Sequence, residues 1–391
     1  MARKAGRDAR RGNGALRKHL KIATIVGARP NFVKVAPLFH AIEAHNKRAA
    51  ELAIDHVLIH TGQHYDDAMS AQFFQQFELP EPHHYLGVGS GTHAEQTGQT
   101  MIRLEPVLKE LQPDWVVVVG DVNAALAGAV TAKKLLLKVA HIESGLRSND
   151  WQMPEEVNRV IVDRISDLLL TTSDFADRNL LGEGVDAGRI VRVGNIMIDS
   201  LRKFADRAEN VSLKTITGRE LHNEPFVLAT IHRPSNVDDR HQLQEIVSAL
   251  VDVAGDSPVV LPLHPRTRQA LQKSGLMETL ASHGNMIILN PLPHLELLAL
   301  QQCAAVIVTD SGGLQEEAMI LGTPCVTLRT TTERPETLRE NGGTSRLAPL
   351  DRAGITFAVR EARRESRRPV DYPLWDGCTA ERIVAALVGH A

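Results

Sequence analysis

The sequence predicts an α/β protein with two doubly wound, Rossmann-like domains in tandem, each a parallel sheet covered by helices. Three observations carry that expectation. From residue 22 onward, apolar runs of strand length alternate with segments at helical spacing. Few hairpin signals separate the runs, so successive strands need helical crossovers and come out parallel. The alternation pauses once, across the charged stretch 198–224, and then restarts. A length of 391 residues suffices for two domains, and 43% hydrophobic against 23% charged residues fits a folded chain rather than a disordered one.

Residues 1–21 stand apart. They carry eight Lys or Arg and one Asp, which leaves the rest of the chain at a formal charge of −10 within a total of −3. The segment has no apolar h-region, so it does not read as a secretory signal. A polyanion-binding arm and a solvated flexible tail both fit it, and the flexible tail is the simpler expectation. The first domain is expected at 22–197 and the second at 198–371. The C-terminal segment 372–391 ends in a helix that can pack back on the first domain or on the second.

Strand 22–27 opens the first domain. Pro30 sits where the first turn of a helix accepts proline, and Phe32, Val35, Ala36, Phe39 and Ile42 recur at helical spacing. Strand 54–60 follows, then helices over 66–77 and 92–111. Next come strand 115–120, helix 124–137, strand 139–143, helix 155–165, strand 168–172, helix 175–181 and strand 190–193. After the pause the order repeats, with strand 226–231, helix 242–253, strand 259–263, helix 268–276 and strand 286–289. Helix 295–303, strand 305–309, helix 314–321, strand 325–328 and a last helix, 380–388, complete it.

Several function classes drop out. No apolar run approaches the roughly 18 residues of a bilayer span. The small net charge argues against nucleic-acid or membrane partners recruited by bulk charge. Cys303, Cys325 and Cys378 are odd in number and form no CxxC pair, which excludes a disulfide scaffold and a thiolate zinc site. They fit a reducing, cytoplasmic location. His60, His64, His83, His84 and His93 lack a compact ligand spacing, so no metal is expected.

The polar residues gather at the predicted strand ends, where ligands bind in doubly wound sheets. Asp310-Ser311-Gly312-Gly313 joins a strand to a helix, and its glycines let backbone N–H groups approach a phosphate. Glu317 lies one helical turn on, where a carboxylate suits a ribose diol. Asp121 and Glu143 end successive strands, and Glu155 opens the next helix. Singly, Asp121 reads as a helix cap and Glu155 as a helix-start charge. Around one cleft, the three can separate an acid from a base. Arg29, Lys34, Arg147, Arg159, His232, Arg233, Arg266 and Arg334 are cations near loops or helix starts, and His264 stands at another strand end. Cations so placed on an acidic body suggest an anionic ligand in a cleft between the two domains.

The same stretches form an ordered series: GARPNFVKVAPL at 27–38, TGQHYD at 61–66, VVGD at 118–121, HIESGLRS at 141–148 and MPEEVNR at 153–159. It continues with VGNIMID at 193–199, LATIHRPSN at 228–236, LPLHPRT at 261–267, TDSGGLQEEA at 309–318 and TTERPET at 331–337. In this series the chain resembles the non-hydrolysing UDP-N-acetylglucosamine 2-epimerases, from about residue 22 to the C-terminus. The resemblance implies a glycosyltransferase-B-like pair of domains with the active site in the interdomain cleft. It implies inversion at C2 of the sugar to give UDP-N-acetylmannosamine, by elimination of UDP to a 2-acetamidoglucal and re-addition. It implies no cofactor, a homodimer, and a supply role in polysaccharide biosynthesis.

By motif, Asp121, Glu143 and Glu155 match the family's acid–base carboxylates, and His232 matches the histidine at the diphosphate. Arg29 and Lys34 match the first basic loop, and Arg159 belongs to the motif behind Glu155. Ser311, Gly312 and Gly313 match the phosphate loop, Glu317 the ribose carboxylate and Arg334 the late basic motif. His264 and Arg233 fall in the substrate-binding segments. Gln63 and His64, with Arg233, lie in segments that line a second, activating UDP-sugar site in some bacterial members.

The chain departs from the family pattern in three places. Val122-Asn123-Ala124-Ala125 follows Asp121 where hydroxyl side chains are common, Leu297 stands near a uracil-stacking aromatic position, and Asn31-Phe32 replaces Glu-Ala. Related epimerases acting on UDP-diacetamido-glucuronic acids share the first two motifs and usually lack Glu333-Arg334-Pro335-Glu336, which favours the N-acetylglucosamine substrate. The other readings are such a uronate epimerase, a hydrolysing epimerase that releases UDP and N-acetylmannosamine, a glycosyltransferase of the same architecture, and a UDP-sugar sensor without turnover.

Overall fold

The computed structural model describes residues 18–27, 29–48, 52–62, 76–222 and 224–391. Strands β1 (Lys18–Val26), β2 (Leu52–His60), β3 (His84–Tyr85), β4 (Trp115–Val119), β5 (Lys138–Ser144), β6 (Leu168–Thr171) and β7 (Ile190–Arg192) form one sheet in the order β3-β2-β1-β4-β5-β6-β7. Strands β8 (Val227–Thr230), β9 (Val259–Pro262), β10 (Met286–Leu289), β11 (Val306–Thr309), β12 (Cys325–Thr327) and β13 (Ser345–Leu347) form a second, in the order β10-β9-β8-β11-β12-β13. Every pairing in both sheets is parallel. Burial explains why these segments are strands. All five residues of β4, Trp-Val-Val-Val-Val, are inaccessible, as expected where helices cover both faces of a sheet.

In each sheet the strand order reverses once, between β1 and β4 and between β8 and β11. At such a switch point, neighbouring loops leave in opposite directions and open a crevice beyond the carboxyl ends of the strands.

The pause in the sequence pattern is itself structured. The helix Ile196–Glu209 runs through it, with Ile196, Leu201, Phe204 and Ala208 buried. Its charged outer face masked the apolar stripe when only composition was read. It packs against the helices Arg29–Lys47, His294–Cys303 and Gly312–Leu321. One hydrophobic cluster therefore continues from Val26 and Val117 of the first sheet, through Phe204, to Leu228 and Ile307 of the second. The last helix, Thr379–Gly389, packs on Arg29–Lys47, and Asp199 accepts hydrogen bonds from the Thr379 and Ala380 amides at 3.1 and 2.7 Å.

Other details differ from expectation. Strand β1 begins at Lys18, so Lys18–Lys21 belong to the sheet and not to the tail. Strands β3 and β13 and the helices Leu213–Thr217, Leu276–Ala281 and Arg352–Ala362 carried too little periodicity to be recognised. Most of the expected helix 66–77 lies outside the described residues.

Phe204 ties the two halves together. Its ring meets Phe77 edge-on at 4.9 Å and His294 at 5.9 Å. Phe204→Ala should cost about 3–5 kcal/mol of stability, through lost burial and an unfilled cavity. Chemical denaturation of the full chain checks this.

Candidate active site

The carboxyl ends of β1 and β4 face those of β8 and β11 across a cleft of about 700 Å³. Lys34, Asp121, Glu155, His232, Gly312 and Arg334 all line it. That volume suits a small-molecule ligand. Asn31 shapes its first loop: its side chain accepts from the Gly27 amide at 3.2 Å and donates to the Val119 carbonyl at 3.1 Å, pinning the ends of β1 and β4 together.

Asp121 and Glu143 come from adjacent strands, as the spacing predicts. Asp121 accepts a hydrogen bond from Arg159 Nη1 and is still 27% exposed to the cleft. Arg159 is buried and fixed by Glu156, 2.7 Å from its Nη2, and Glu156 is held in turn by the Ser148 and Asn149 amides. Burial alone would push the Asp121 carboxyl up, but Arg159, Lys34 and Arg334 outweigh it and hold the group below the usual carboxylate range. Asp121 is therefore an ionised carboxylate facing the cleft.

Glu143 adopts φ of +65°, in the left-handed region that non-glycine residues rarely occupy. The pairing of β5 with β6 shifts register between Ile142 and Ser144, so this residue is a bulge that re-aims its side chain. Its carboxylate is only 2% exposed. Lys34 Nζ donates to Oε2, and Arg334 Nη2 stands 3.8 Å from Oε1. Gly120 leaves room for this pair, because a Cβ there would come within 3.1 Å of Glu143 Oε2. Glu155 sits half-buried at the cleft wall, in the first turn of the helix Pro154–Ile165.

The second sheet supplies the opposite wall. Asp310, fully buried at the end of β11, accepts from the His232 and Arg233 amides at 3.0 and 2.9 Å and from Asn236 Nδ2 at 3.0 Å. His232 Nδ1 lies 3.0 Å from Asp310 Oδ1, which orients the ring. Burial raises the Asp310 carboxyl, and these bonds from His232, Arg233 and Asn236 more than reverse the effect, leaving it low. Gly312 begins a ten-residue helix whose first amides are free to meet an anion. A side chain on Gly312 would overlap the Arg334 guanidinium.

Arg334 is buried among Glu143, Glu316 and Glu333. Burial and the nearby Glu143 push the Glu316 carboxyl up, despite Arg334 Nε at 2.8 Å. Glu333 goes the other way: burial is outweighed by Arg334, Arg329 and Arg233, and its carboxyl falls well below the usual range. Asp310, Asn236, Arg329, Glu316 and Glu333 were not singled out as site residues. The signal was present in the Glu-Glu pair and in TERPE, but spacing alone could not separate a buried network from a solvated face.

Six expected site residues stand outside the cleft lining formed by the described residues: Glu143 and Arg159, buried beside Lys34 and Asp121, and four further ligand residues. His264 caps the helix Pro265–Ser274, with Nδ1 accepting from the Arg266 amide at 3.2 Å, and its ring lies 5.8 Å from that of His232. Ser311 is the N-cap of the helix Gly312–Leu321, and Gly313 is in its first turn. Glu317 is buried and accepts from Gln301 Nε2 at 2.8 Å. The Arg29 side chain, Gln63 and His64 lie outside the described residues. Of the remaining expected cations, Arg147 is bound up with Asp163 and Glu183, and Arg266 with Asp238, so neither is offered to the cleft.

Residues 46–388 match the family described as UDP-N-acetylglucosamine 2-epimerase. A UDP-N-acetylglucosamine 2-epimerase of Methanocaldococcus jannaschii is 40% identical over 94% of this chain and 99% of its own length. A UDP-2,3-diacetamido-2,3-dideoxy-D-glucuronate 2-epimerase of Pseudomonas aeruginosa is 41% identical over 80% of this chain and 84% of its own length. The fold is similar to a crystal structure of the M. jannaschii UDP-GlcNAc 2-epimerase in complex with UDP-GlcNAc and UDP, with a TM-score of 0.87 and 39% identity over 95% of this chain and 100% of that one.

The burial of Glu317 sets a stability profile. Burial raises its carboxyl from 4.5 to about 7, and Gln301 only partly offsets this. Between those values the folded state keeps a proton that the unfolded state has released. Its contribution to stability is therefore full below pH 4.5 and is lost as pH rises through 7. Glu317→Gln should make the ligand-free protein more stable than the parent at pH 8, with a smaller gain at pH 5. Denaturation midpoints at the two pH values check this.

Proposed function

The chain belongs to the UDP-N-acetylglucosamine 2-epimerase family, and on that footing we propose that it interconverts UDP-N-acetylglucosamine and UDP-N-acetylmannosamine by inverting C2 of the sugar. One observation carries the reading. Asp121 and Glu143 stand at the ends of adjacent strands, bound to Arg159 and to Lys34 and Arg334, with Asp121 opposite a helix N-terminus flanked by His232 and Arg233. Acid–base groups and anion-binding groups thus face each other across one cleft.

The chemistry requires both. The C2 proton of this sugar is not acidic, because no carbonyl adjoins C2. Cleavage of the C1–O bond expels UDP and leaves electron-deficient C1, and C2–H then becomes removable to give 2-acetamidoglucal. Reprotonation of C2 from the opposite face and return of UDP to C1 complete the inversion. Asp121, kept ionised by Arg159, suits proton removal on one face, and Glu143 suits proton transfer on the other. Glu155 stands by at the cleft wall. The Gly312 amide, His232, Arg233 and Arg334 suit the negative charge gathering on the departing diphosphate. The reading carries with it a homodimer and a cytoplasmic nucleotide-sugar pool.

A second reading has its own observation: the P. aeruginosa relative, named for a diacetamido-glucuronate sugar, matches the M. jannaschii one in identity, though over less of the chain. Proton NMR in heavy water with each UDP-sugar separates the two. UDP-N-acetylmannosamine with deuterium at C2 in both epimers is the expected result. Turnover of the diacetamido-uronate alone would transfer the assignment to that sugar, and free UDP with N-acetylmannosamine would mean hydrolysis. Glu143→Gln should lower kcat by about 10²–10⁴-fold, the usual worth of a general acid or base, while UDP affinity by calorimetry holds. Unchanged turnover would remove Glu143 from the mechanism.

A further inference from the structure

Beneath the two carboxylates lies a fully buried histidine with no part in the mechanism above. His141, on β5, is 0% exposed. Its Nδ1 is 2.6 Å from Asp163 Oδ1, and its Nε2 is 2.9 Å from the Gly120 carbonyl. A carboxylate and a carbonyl are both acceptors, and a neutral imidazole has only one N–H to give. Asp163 is already committed as an anion: its Oδ2 accepts from Arg147 Nη1 at 2.7 Å and from the Gly145 amide at 3.0 Å. Burial opposes ionisation of Asp163, and His141 with Arg147 overcomes it. Arg147 is paired in turn with Glu183, through Nε at 2.7 Å and Nη2 at 2.8 Å. With His141 protonated on both nitrogens, these four side chains sum to zero charge, Asp163 being buried between the two cations and Glu183 reaching Arg147 from the exposed side.

We infer that His141 is a buried imidazolium and that, with Asp163, it is a positioning residue for the two reacting carboxylates. The pair brackets Glu143 in the chain: His141 lies two residues before it, and the Gly145 amide held by Asp163 lies two after. A left-handed glutamate persists only where its surroundings over-determine it, and this bracket does so. The other ring nitrogen holds the carbonyl of Gly120, immediately before Asp121. One charged ring thus fixes the separation of Asp121 and Glu143. The kinetic consequence rests on the proposed function, whereas the proton count does not.

The test uses the full chain with ¹⁵N-labelled histidine, recorded at pH 8, where an exposed histidine is neutral. His141 is assigned through its own Cβ. Protons on both of its ring nitrogens are expected, and a single protonated nitrogen would overturn the inference whether or not the protein epimerises anything. Asp163→Asn should cost His141 one ring proton and lower kcat about 10²-fold, the scale of an ångström's misplacement, with KM and UDP affinity little changed. Unchanged kcat, or parallel collapse of UDP affinity, would deny the positioning role. Should that variant fail to fold, the spectrum of the parent protein still decides the proton count, and His141→Gln, read by the same kcat and UDP-affinity measurements, decides the positioning role.

Discussion

The site depends on one buried cation that has to be paired from two directions. Arg334 belongs to the second sheet's late loop, yet its guanidinium reaches Glu143 at the end of β5 as well as Glu316 and Glu333 on its own side. A guanidinium removed from water costs several kcal/mol unless carboxylates surround it, and each of those carboxylates would be equally costly alone. The guanidinium and its carboxylates therefore offset one another's burial, with Glu316 and Glu333 holding Arg334 from its own side. It also explains the glycine at 312, since any side chain there would occupy the place of Arg334. An anionic ligand entering the cleft finds cations already oriented by protein carboxylates.

Around that contact, the fold does the placing. Two sheets reverse direction at β1/β4 and at β8/β11, and both crevices open toward the same cleft. The helix Ile196–Glu209 joins the apolar faces of the two halves into one cluster, so the walls do not rest on loops alone. At the end of β5, Glu143 takes a left-handed backbone and is held there by bonds on either side of it. On the proposed reading, proton transfer is assigned to the first sheet and control of the leaving group to the second.

Much of this was legible in the sequence. Apolar runs such as Trp115–Val119 are unambiguous because a strand covered on both faces has no polar alternation. Asp121 and Glu143 could be paired because successive parallel strands are often neighbours. The misses share one physical cause: a buried ion pair looks like surface charge until its distant partner is known. Glu316, Asp310 and Asp163 meet partners contributed by other loops, and Glu333 adds Arg233 to the arginines of its own loop, which no local periodicity reveals. The helix Ile196–Glu209 was missed for a similar reason, since its charged face dominated the composition while its apolar stripe waited for a partner.

The central claim is that this cleft breaks the bond between C1 and the diphosphate oxygen during each inversion. Positional isotope exchange tests it most directly. UDP-N-acetylglucosamine carrying ¹⁸O in the C1–O–P bridge is incubated with the enzyme, and its phosphorus resonances are followed as epimers equilibrate. The account predicts that the label migrates from the bridge to the non-bridging oxygens of the β-phosphate, because free UDP rotates before it returns. Inversion at C2 with the label still wholly in the bridge would contradict it.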